Sequence, residues 1–519
     1  MGHTVGVDVG TSGTRALVID EYGVIVGTGT AAYSSQIPKP NWVEQDPEVW
    51  WTSTCDAIRQ ALLDAGIAAA DIAAVGIAGQ MHSSVFLDAA GEVVRPAILW
   101  CDQRTGQECD EITSVIGAER LLDMTCNQAI TGFTAPKILW LRKHEPEQFD
   151  RVRKVLLPKD YVRFRMSGEY ATDMSDASGT LLFDVRNRRW ASEAIEGLGL
   201  DSDWFPAAYE SPEIAARVSA VGAKATGLAE GTPIVAGAGD QAATAIGVGA
   251  VEPGILLCTI GTSGVIFAHM GSPVSQPDGR LHMFCHGVPG KWHVMGVTLA
   301  AGGAFRWYRN TFCAEEERQA REMGIDIYDL IVEGARSAPA GAEGLVFLPY
   351  LAGERTPYPD PNASGVFFGI SFRHSKEHFA RAVMEGVTMS LLDCLDIVRS
   401  LGVPVSQVRA SGGGARSLLW RQMQSNAFGV PVSTVNSTDG AAFGAAILAL
   451  VGAGVYDNVE SACREIIKVT ETVQPDTESQ GIWDGLHSLY SGLYLSLRDS
   501  FDRRASLLKA CAHDGGGGN

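Results

Sequence analysis

The sequence predicts an α/β protein built from two similar halves, and three observations predict it. One short motif occurs twice, 251 residues apart: Gly10-Thr11-Ser12-Gly13 and Gly261-Thr262-Ser263-Gly264. Each copy has a β-rich run before it and another after it, which reads as a hairpin with a turn of small residues. Elsewhere strand patterns alternate with amphipathic helical ones, the rhythm of a mixed sheet covered by helices. The third observation is size: 519 residues, 46% hydrophobic, provide buried cores for about two to four domains.

The elements follow in order. Strands are expected over 4–9, 14–20 and 24–31, with Glu21-Tyr22-Gly23 as the second turn. Asp46-Pro47 reads as the N-cap and first residue of a helix whose Trp51, Cys55, Ile58 and Leu62 share a face and which Gly66 stops. Buried strands follow over 72–78 and 97–100. From about 105 to 225 the pattern turns helical, with an amphipathic segment over 137–143, and reads as an inserted subdomain. A strand over 233–236 runs into Gly237-Ala238-Gly239-Asp240, and the hairpin pattern restarts at Gly254, which puts a boundary near 249. The second half carries a long helix over about 376–400, with Phe379, Val383, Val387, Leu391, Cys394 and Val398 on one face. A strand over 408–410, the turn Ser411-Gly412-Gly413-Gly414 and a helix from near Arg416 come next. The division expected is a domain over 1–249, a second over 250–490, and a C-terminal helix with a disordered Gly-rich tail over 491–519. With no low-complexity linker between them, the halves are expected to meet across a cleft and hinge there.

Composition narrows the function classes. A formal charge of −19 repels nucleic acid and anionic membrane, so neither is an expected partner. The ten cysteines are scattered without CxxC spacing, as in a cytoplasmic protein with reduced thiols. No signal peptide pattern precedes the first strand. The uncharged Gly/Ala-rich run over 440–455 has 16 residues, short of the ~20 that span a bilayer, and reads as a helix packed closely on its neighbours.

Several side chains suit chemistry on a phosphorylated ligand. Glycine turns let the backbone approach a ligand, and their Thr and Ser hydroxyls and N–H groups can hold phosphate oxygens. Asp8 precedes the first turn, where a carboxylate could hold Mg²⁺ beside phosphates; the second copy has Thr259 at that place, which suggests one active centre. Asp240 ends a strand among small residues and suits a general base that deprotonates an attacking hydroxyl. Gln80-Met81-His82 follows the strand over 72–78, and its amide, thioether and imidazole together suit a small polyhydroxylated ligand; Trp100 and Asp102 end the next strand, where a Trp beside polar groups suits a sugar face. His282, His286 and His293 match no tight zinc spacing. There is no GxxxxGK[ST] loop and no GxGxxG opening a helix.

The paired hairpin turns, with an acid before the first, resemble those of the actin/Hsp70/sugar-kinase superfamily. Over roughly 4–490 the chain is similar to the FGGY carbohydrate kinases. One long signature of that family runs from Gly132 through Thr134, Lys137 and Trp140 to His144, the other from Gly365 through Gly369, His378 and Ala382 to Glu385. Trp42-Val43-Glu44-Gln45-Asp46-Pro47, Gly79-Gln80-Met81-His82, Leu157-Pro158-Lys159-Asp160-Tyr161 and Gly353-Glu354-Arg355-Thr356-Pro357 narrow the resemblance to the branch that phosphorylates D-xylulose. Cys101-Asp102-Gln103-Arg104 departs from the Asn-Asp-Gly-Arg commoner there, leaving its Asp and Arg in place.

The resemblance implies two duplicated actin-like (RNase H-like) ATPase domains with mixed sheets around a central cleft. It implies ATP and Mg²⁺ as cofactors, a sugar as substrate, a cytoplasmic setting, and a homodimer as a candidate assembly. Asp240 takes the place of the catalytic base, Gln241 of a sugar contact and Asp8 of the Mg²⁺-associated acid. Thr11, Ser12 and Arg15 match the first phosphate loop, Gly261, Thr262 and Ser263 the second, and Gly413, Gly414 and Ser417 the nucleoside-binding segment. Gln80, Met81, His82, Trp100 and Asp102 match the sugar pocket. Kinases of L-ribulose, glycerol or L-fuculose on the same fold are the nearest alternative. A non-catalytic ATP switch would need an ATP turnover indifferent to sugar.

Overall fold

The computed structural model describes residues 2–274, 276 and 278–514, with side chains through 508, and divides into two compact units. The first comprises Met1–Glu252, His269–Val294 and Asn436–Lys468; the second comprises Pro253–Ala268, Met295–Val435 and Val469–Asn519.

In the first unit the opening strands pair as expected. His3–Val9 and Gly13–Ile19 form an antiparallel hairpin with Asp8 opposite Arg15, and Ile25–Ala32 extends it. Ile72–Gly79 lies parallel to His3–Val9, and beyond it come Pro233–Val235 and the antiparallel edge strand Ile214–Arg217. Val9 stands opposite Gly79, and Gly79 opposite Gly239 of the short strand Ala238–Gly239. Three parallel strand ends are therefore level, which brings Asp8, Gln80 and Asp240 to one rim of the sheet, where α/β proteins collect their ligands.

Side chains alternate across the sheet. Val5, Val7 and Val9 bury against the helix Pro47–Ala65, capped by the Asp46 side chain at the Glu48 N–H (3.0 Å) and stopped by Gly66 at φ 65°. The opposite face carries the helix Gly440–Gly452. A Cβ on Gly6 would lie 2.0 Å from the carbonyl oxygen of Ala442, and one on Gly76 1.9 Å from that of Ala445. This is the uncharged run of the sequence, and its small residues permit backbone-to-backbone approach onto the first sheet.

The stretch 105–225 differs from a helical insertion. Its longer helices, Gly106–Ile116, Ala118–Thr125, Thr134–His144, Pro158–Ser167 and Ala220–Thr226, are interleaved with short strands, and Ile214–Arg217 belongs to the main sheet. The segment 137–143 is not amphipathic in place: residues 134–141 are all buried, Lys137 included. Strand geometry ends at Ile98, so Trp100 lies in the turn after it.

The second unit repeats the plan. Gly254–Ile260 pairs antiparallel with Gly264–Met270 and parallel with Val405–Ser411, which places Thr259 opposite Ser411. Val432–Val435 and the antiparallel Val469–Val473 continue that sheet. The long helix is Lys376–Ser400, and the last helix runs over Gln480–Asp514. Residues 515–519 of the expected disordered tail lie outside the described residues. Among the described residues no helix is long and apolar enough to cross a membrane.

Candidate active site

Asp240 is the first residue of the helix Asp240–Gly247, directly after the strand Ala238–Gly239. Burial, and then the nearby charge of Asp8, raise its carboxyl from 3.8 to about 7, against the backbone N–H and side-chain amide of Gln241, which donate to it. Burial alone lifts the Asp8 carboxyl to about 6. Oδ1 of Asp8 and Oε1 of Gln241 are buried without a hydrogen-bond partner, an arrangement that calls for a group from outside the chain. Two half-buried carboxyls titrating near neutrality at one strand rim make a site able to accept a proton at physiological pH.

The Gln80-Met81-His82 segment lies beside them. Gln80 is fully buried; its amide donates to Gly10 O (3.3 Å) and Gln45 Oε1 (3.3 Å) and accepts from Thr11 Oγ1 (3.4 Å). Met81 packs on Gly239, where a Cβ would come within 2.8 Å of its Cγ. His82 holds a left-handed backbone, φ 69°, and its Nδ1 lies 2.8 Å from Gly179 O. Trp100 Nε1 donates to Thr11 Oγ1 at 3.0 Å. Asp102 is placed differently: wholly buried, it accepts from the Val43 N–H (2.6 Å) and from Arg104 at Nε and Nη2 (2.9 and 2.7 Å). No surface of Asp102 is open to a ligand, and Arg104 stacks over Trp42, 3.7 Å from the ring centroid.

The two glycine turns close differently: the Gly10 N–H bonds to Gly13 O, and the Gly261 N–H one residue sooner to Ser263 O, both at 3.0 Å. In the first, the Thr11 carbonyl accepts from Gln45 Nε2 (2.7 Å), and Ser12 is exposed. Arg15 Nε lies 2.5 Å from Asp439 Oδ1, so its guanidinium already has a carboxylate partner. In the second unit Gly261, Thr262, Gly413, Gly414 and Ser417 line one cavity of about 530 Å³, and Ser263 is not on its wall. Phe305 stacks with Tyr328 (5.7 Å between centroids) and meets Trp420 edge-on (5.4 Å), giving that cavity an aromatic side; Arg306, Arg336, Arg416, Asp326, Asp329 and Glu333 add charge. Volume and lining suit a small ligand with a flat ring and an anionic tail. Ser417 also caps the helix Leu418–Phe428 by accepting from the Trp420 N–H (3.1 Å).

Comparison with known proteins gives the family. The FGGY family of carbohydrate kinases, N-terminal domain, matches residues 3–247, and its C-terminal domain matches 256–453. The chain belongs to the FGGY family of carbohydrate kinases. It is 41% identical over 497 residues to a xylulose kinase of Escherichia coli (strain K12), covering 95% of this chain and 99% of that one. It is 36% identical over 499 residues to a xylulose kinase of Bacillus subtilis (strain 168), covering 96% and 98%. The crystal structure of a xylulose kinase from Rhodospirillum rubrum superposes with a TM-score of 0.87 at 28% identity, over 96% of this chain and all (100%) of that one. The protein is thus a sugar kinase, a phosphotransferase of the actin-like ATPase fold, and the family implies ATP as its phosphoryl donor.

Some residues that shape this FGGY site stand in the sequence reading only inside the family's motifs, or not at all. Lys137 donates to the carbonyls of His82 (2.9 Å) and Gly132 (2.7 Å), and Thr134 Oγ1 also donates to His82 O (3.0 Å). Together they hold His82 in a backbone region that costs a non-glycine residue about 1–3 kcal/mol. Burial lowers the Lys137 ammonium to about 7. Gln45, between Thr11 and Gln80, and Ser175, beside Gly239, are the others.

Proposed function

We propose that this kinase transfers the terminal phosphoryl group of ATP to the terminal hydroxyl of D-xylulose, giving D-xylulose 5-phosphate and ADP. The identities to xylulose kinases over nearly the whole chain and the Gln80-Met81-His82 segment favour this sugar. The observation that carries the mechanism is the carboxyl of Asp240, held near 7 beside Asp8 at a strand rim. A base with that affinity for protons is matched to an alcohol that becomes acidic only as its oxygen bonds to phosphorus. The sugar oxygen attacks the γ-phosphorus, the bond to the ADP oxygen breaks, and Asp240 takes the hydroxyl proton. Gln241 orients the carboxylate and offers its unpartnered Oε1 to a sugar hydroxyl, with Met81, His82 and Trp100 bounding the sugar.

The nucleotide is assigned to the cavity lined by Gly413, Gly414 and Tyr328. Asp8 fits Mg²⁺, because a buried carboxylate oxygen without a partner suits a hard cation that takes its other ligands from phosphate and water. When bound, that ion supplies charge neutralisation on the transferring phosphates. We place the reaction in the cytoplasm, with sugar and ATP as its ligands and a homodimer as the assembly to be weighed by light scattering.

ADP release measured with D-xylulose, L-ribulose, glycerol and L-fuculose tests the substrate; a tenfold or greater preference (in kcat/KM) for another of these sugars overturns the choice of D-xylulose. Asp240→Ala is expected to abolish turnover while sugar binding persists, and near-normal turnover overturns the base assignment.

A further inference from the structure

Behind Asp240 lies a buried group of ions that the phosphoryl transfer described above does not use. Lys159 and Arg163, on the helix Pro158–Ser167, and Asp160, Asp173 and Asp176 are all fully buried. Lys159 Nζ lies 2.5 Å from Asp160, 2.8 Å from Asp173 Oδ1 and 3.4 Å from Asp176. Arg163 pairs with Asp160 (2.9 Å) and donates to the carbonyls of Ala171 (2.7 Å) and Ala236. Burial raises the Asp176 carboxyl well above its usual range.

Five ionisable groups in a buried interior are a poor source of stability, since their desolvation offsets most of their attraction. Their connections give them another use. Asp173 Oδ2 accepts both the N–H (2.7 Å) and the O–H (2.5 Å) of Ser175. With its proton committed to that carboxylate, the Ser175 oxygen can act toward its other neighbour only as an acceptor, and it accepts the Gly239 N–H at 3.1 Å. Gly239 immediately precedes Asp240 in the chain, and on its other side it is fixed level with Gly79 and packed under Met81. Arg163 holds the same segment at Ala236 O, three residues earlier.

We infer that Ser175, oriented by the Asp173–Lys159 pair, is a positioning residue that sets the backbone from which Asp240 projects. The inference rests on Asp240 being the general base. Ser175 touches neither sugar nor nucleotide in this account, so its loss should misplace the base and leave both ligands bound as before. A displacement well below 1 Å suffices for about a tenfold loss of rate.

The test uses the full chain with Ser175→Ala and Ser175→Cys, the second close to serine in volume and a weaker acceptor. Expected for Ser175→Ala is a fall in kcat of about tenfold, with KM for sugar and for ATP within about twofold of wild type. Ser175→Cys should fall less. A kcat within twofold of wild type for Ser175→Ala, a loss seen in KM instead, or equal losses for Ala and Cys overturns the inference. Should Ser175→Ala fail to fold, Ser175→Cys decides alone: reduced kcat at unchanged KM supports the role, and wild-type kcat refutes it. Wild-type turnover on the sugar panel is measured alongside. Its absence removes the kinase reading itself, whereas an active wild type matched by Ser175→Ala removes only the positioning role.

Discussion

Asp240→Asn tests the electrostatics of the site and its chemistry in one protein. Burial and Asp8 lift the Asp240 carboxyl from its ordinary 3.8 to about 7. Between those values the folded protein holds a proton that the unfolded chain has released, so stability falls as pH rises through that window. Below about 4 both states are protonated and nothing is lost; above about 7 the penalty is complete. Roughly three pH units at about 1.4 kcal/mol each set a ceiling of ~4 kcal/mol. Asp240 keeps part of its surface in contact with solvent, so about half of that, ~2 kcal/mol, is the expected cost of its charge at pH 8. Asparagine keeps the shape, can still accept from Gln241, and carries no charge. The melting temperature of Asp240→Asn at pH 8 is therefore expected to exceed that of wild type by a few degrees, with the gain shrinking toward pH 5. Turnover should fall by about 10²–10⁴-fold, the usual worth of a general base. Scanning calorimetry at several pH values and an ADP-release assay read the two effects. A melting temperature at pH 8 no higher than wild type, or turnover above a tenth of wild type, would refute the reasoning.

Other substitutions separate scaffold from site. Asp102→Asn leaves the Arg104 guanidinium, buried with Glu44 as its other ion partner, short of charge, and about 3–5 kcal/mol of stability should go with it; urea unfolding checks this, and a raised sugar KM at unchanged stability would return Asp102 to the sugar pocket. Gly76→Ala puts a Cβ 1.9 Å from the Ala445 carbonyl oxygen and should destabilise by about 3 kcal/mol or more. Gly66→Ala meets nothing within 4 Å and bears only its φ of 65°, for about 1 kcal/mol; equal melting temperatures for the two would contradict the packing described. Tyr328→Ala removes the ring stacked on Phe305 and should raise KM for ATP several-fold while KM for sugar stays put, measured by varying each substrate in turn.

What the sequence revealed was local. The two hairpin turns, the Asp46-Pro47 start and Gly66 stop of one helix, and the placement of Asp240 after a strand all follow from residues within a few positions of one another. The sheet ends that bring Asp8, Gln80 and Asp240 level were only partly legible, because pairing Gly79 with Gly239 joins positions far apart in the chain. The partnership of Gly6 and Gly76 with the helix Gly440–Gly452 left no mark near either partner except a run of small residues. Asp102 matches a sugar-pocket position in the sequence, and although Arg104 is only two residues on, it is the fold that adds the Val43 N–H and closes the carboxylate off. Lys137 looked like the polar edge of an amphipathic helix because periodicity cannot register a lysine whose ammonium is satisfied by backbone carbonyls inside the core.

The repeated hairpin separates two rims, one with Asp8, Gln80 and Asp240 and one beside a nucleotide-sized cavity. Both turns sit at the end of a strand flanked by an antiparallel and a parallel neighbour, but the second is one residue tighter, Ile260 pairing with Gly264 where Val9 pairs with Thr14. They also differ two residues before the turn. Asp8 there faces the row that ends in Gln80 and Asp240, and its charge raises the proton affinity of Asp240. Thr259 there has a buried, unpartnered hydroxyl and no carboxyl, and Gly413, Gly414 and Ala415 follow the neighbouring strand in place of Gln80, Met81 and His82. Small residues leave the space that the first unit fills with amide, thioether and imidazole, and the cavity opens beside them. Placing an acid at 259 would set a second carboxylate against incoming phosphates with no base to serve, so Thr259→Asp should raise KM for ATP by at least about tenfold, the cost of one like charge at close range in a partly buried site. An unchanged KM for ATP in that variant would mean that the second turn does not face the nucleotide.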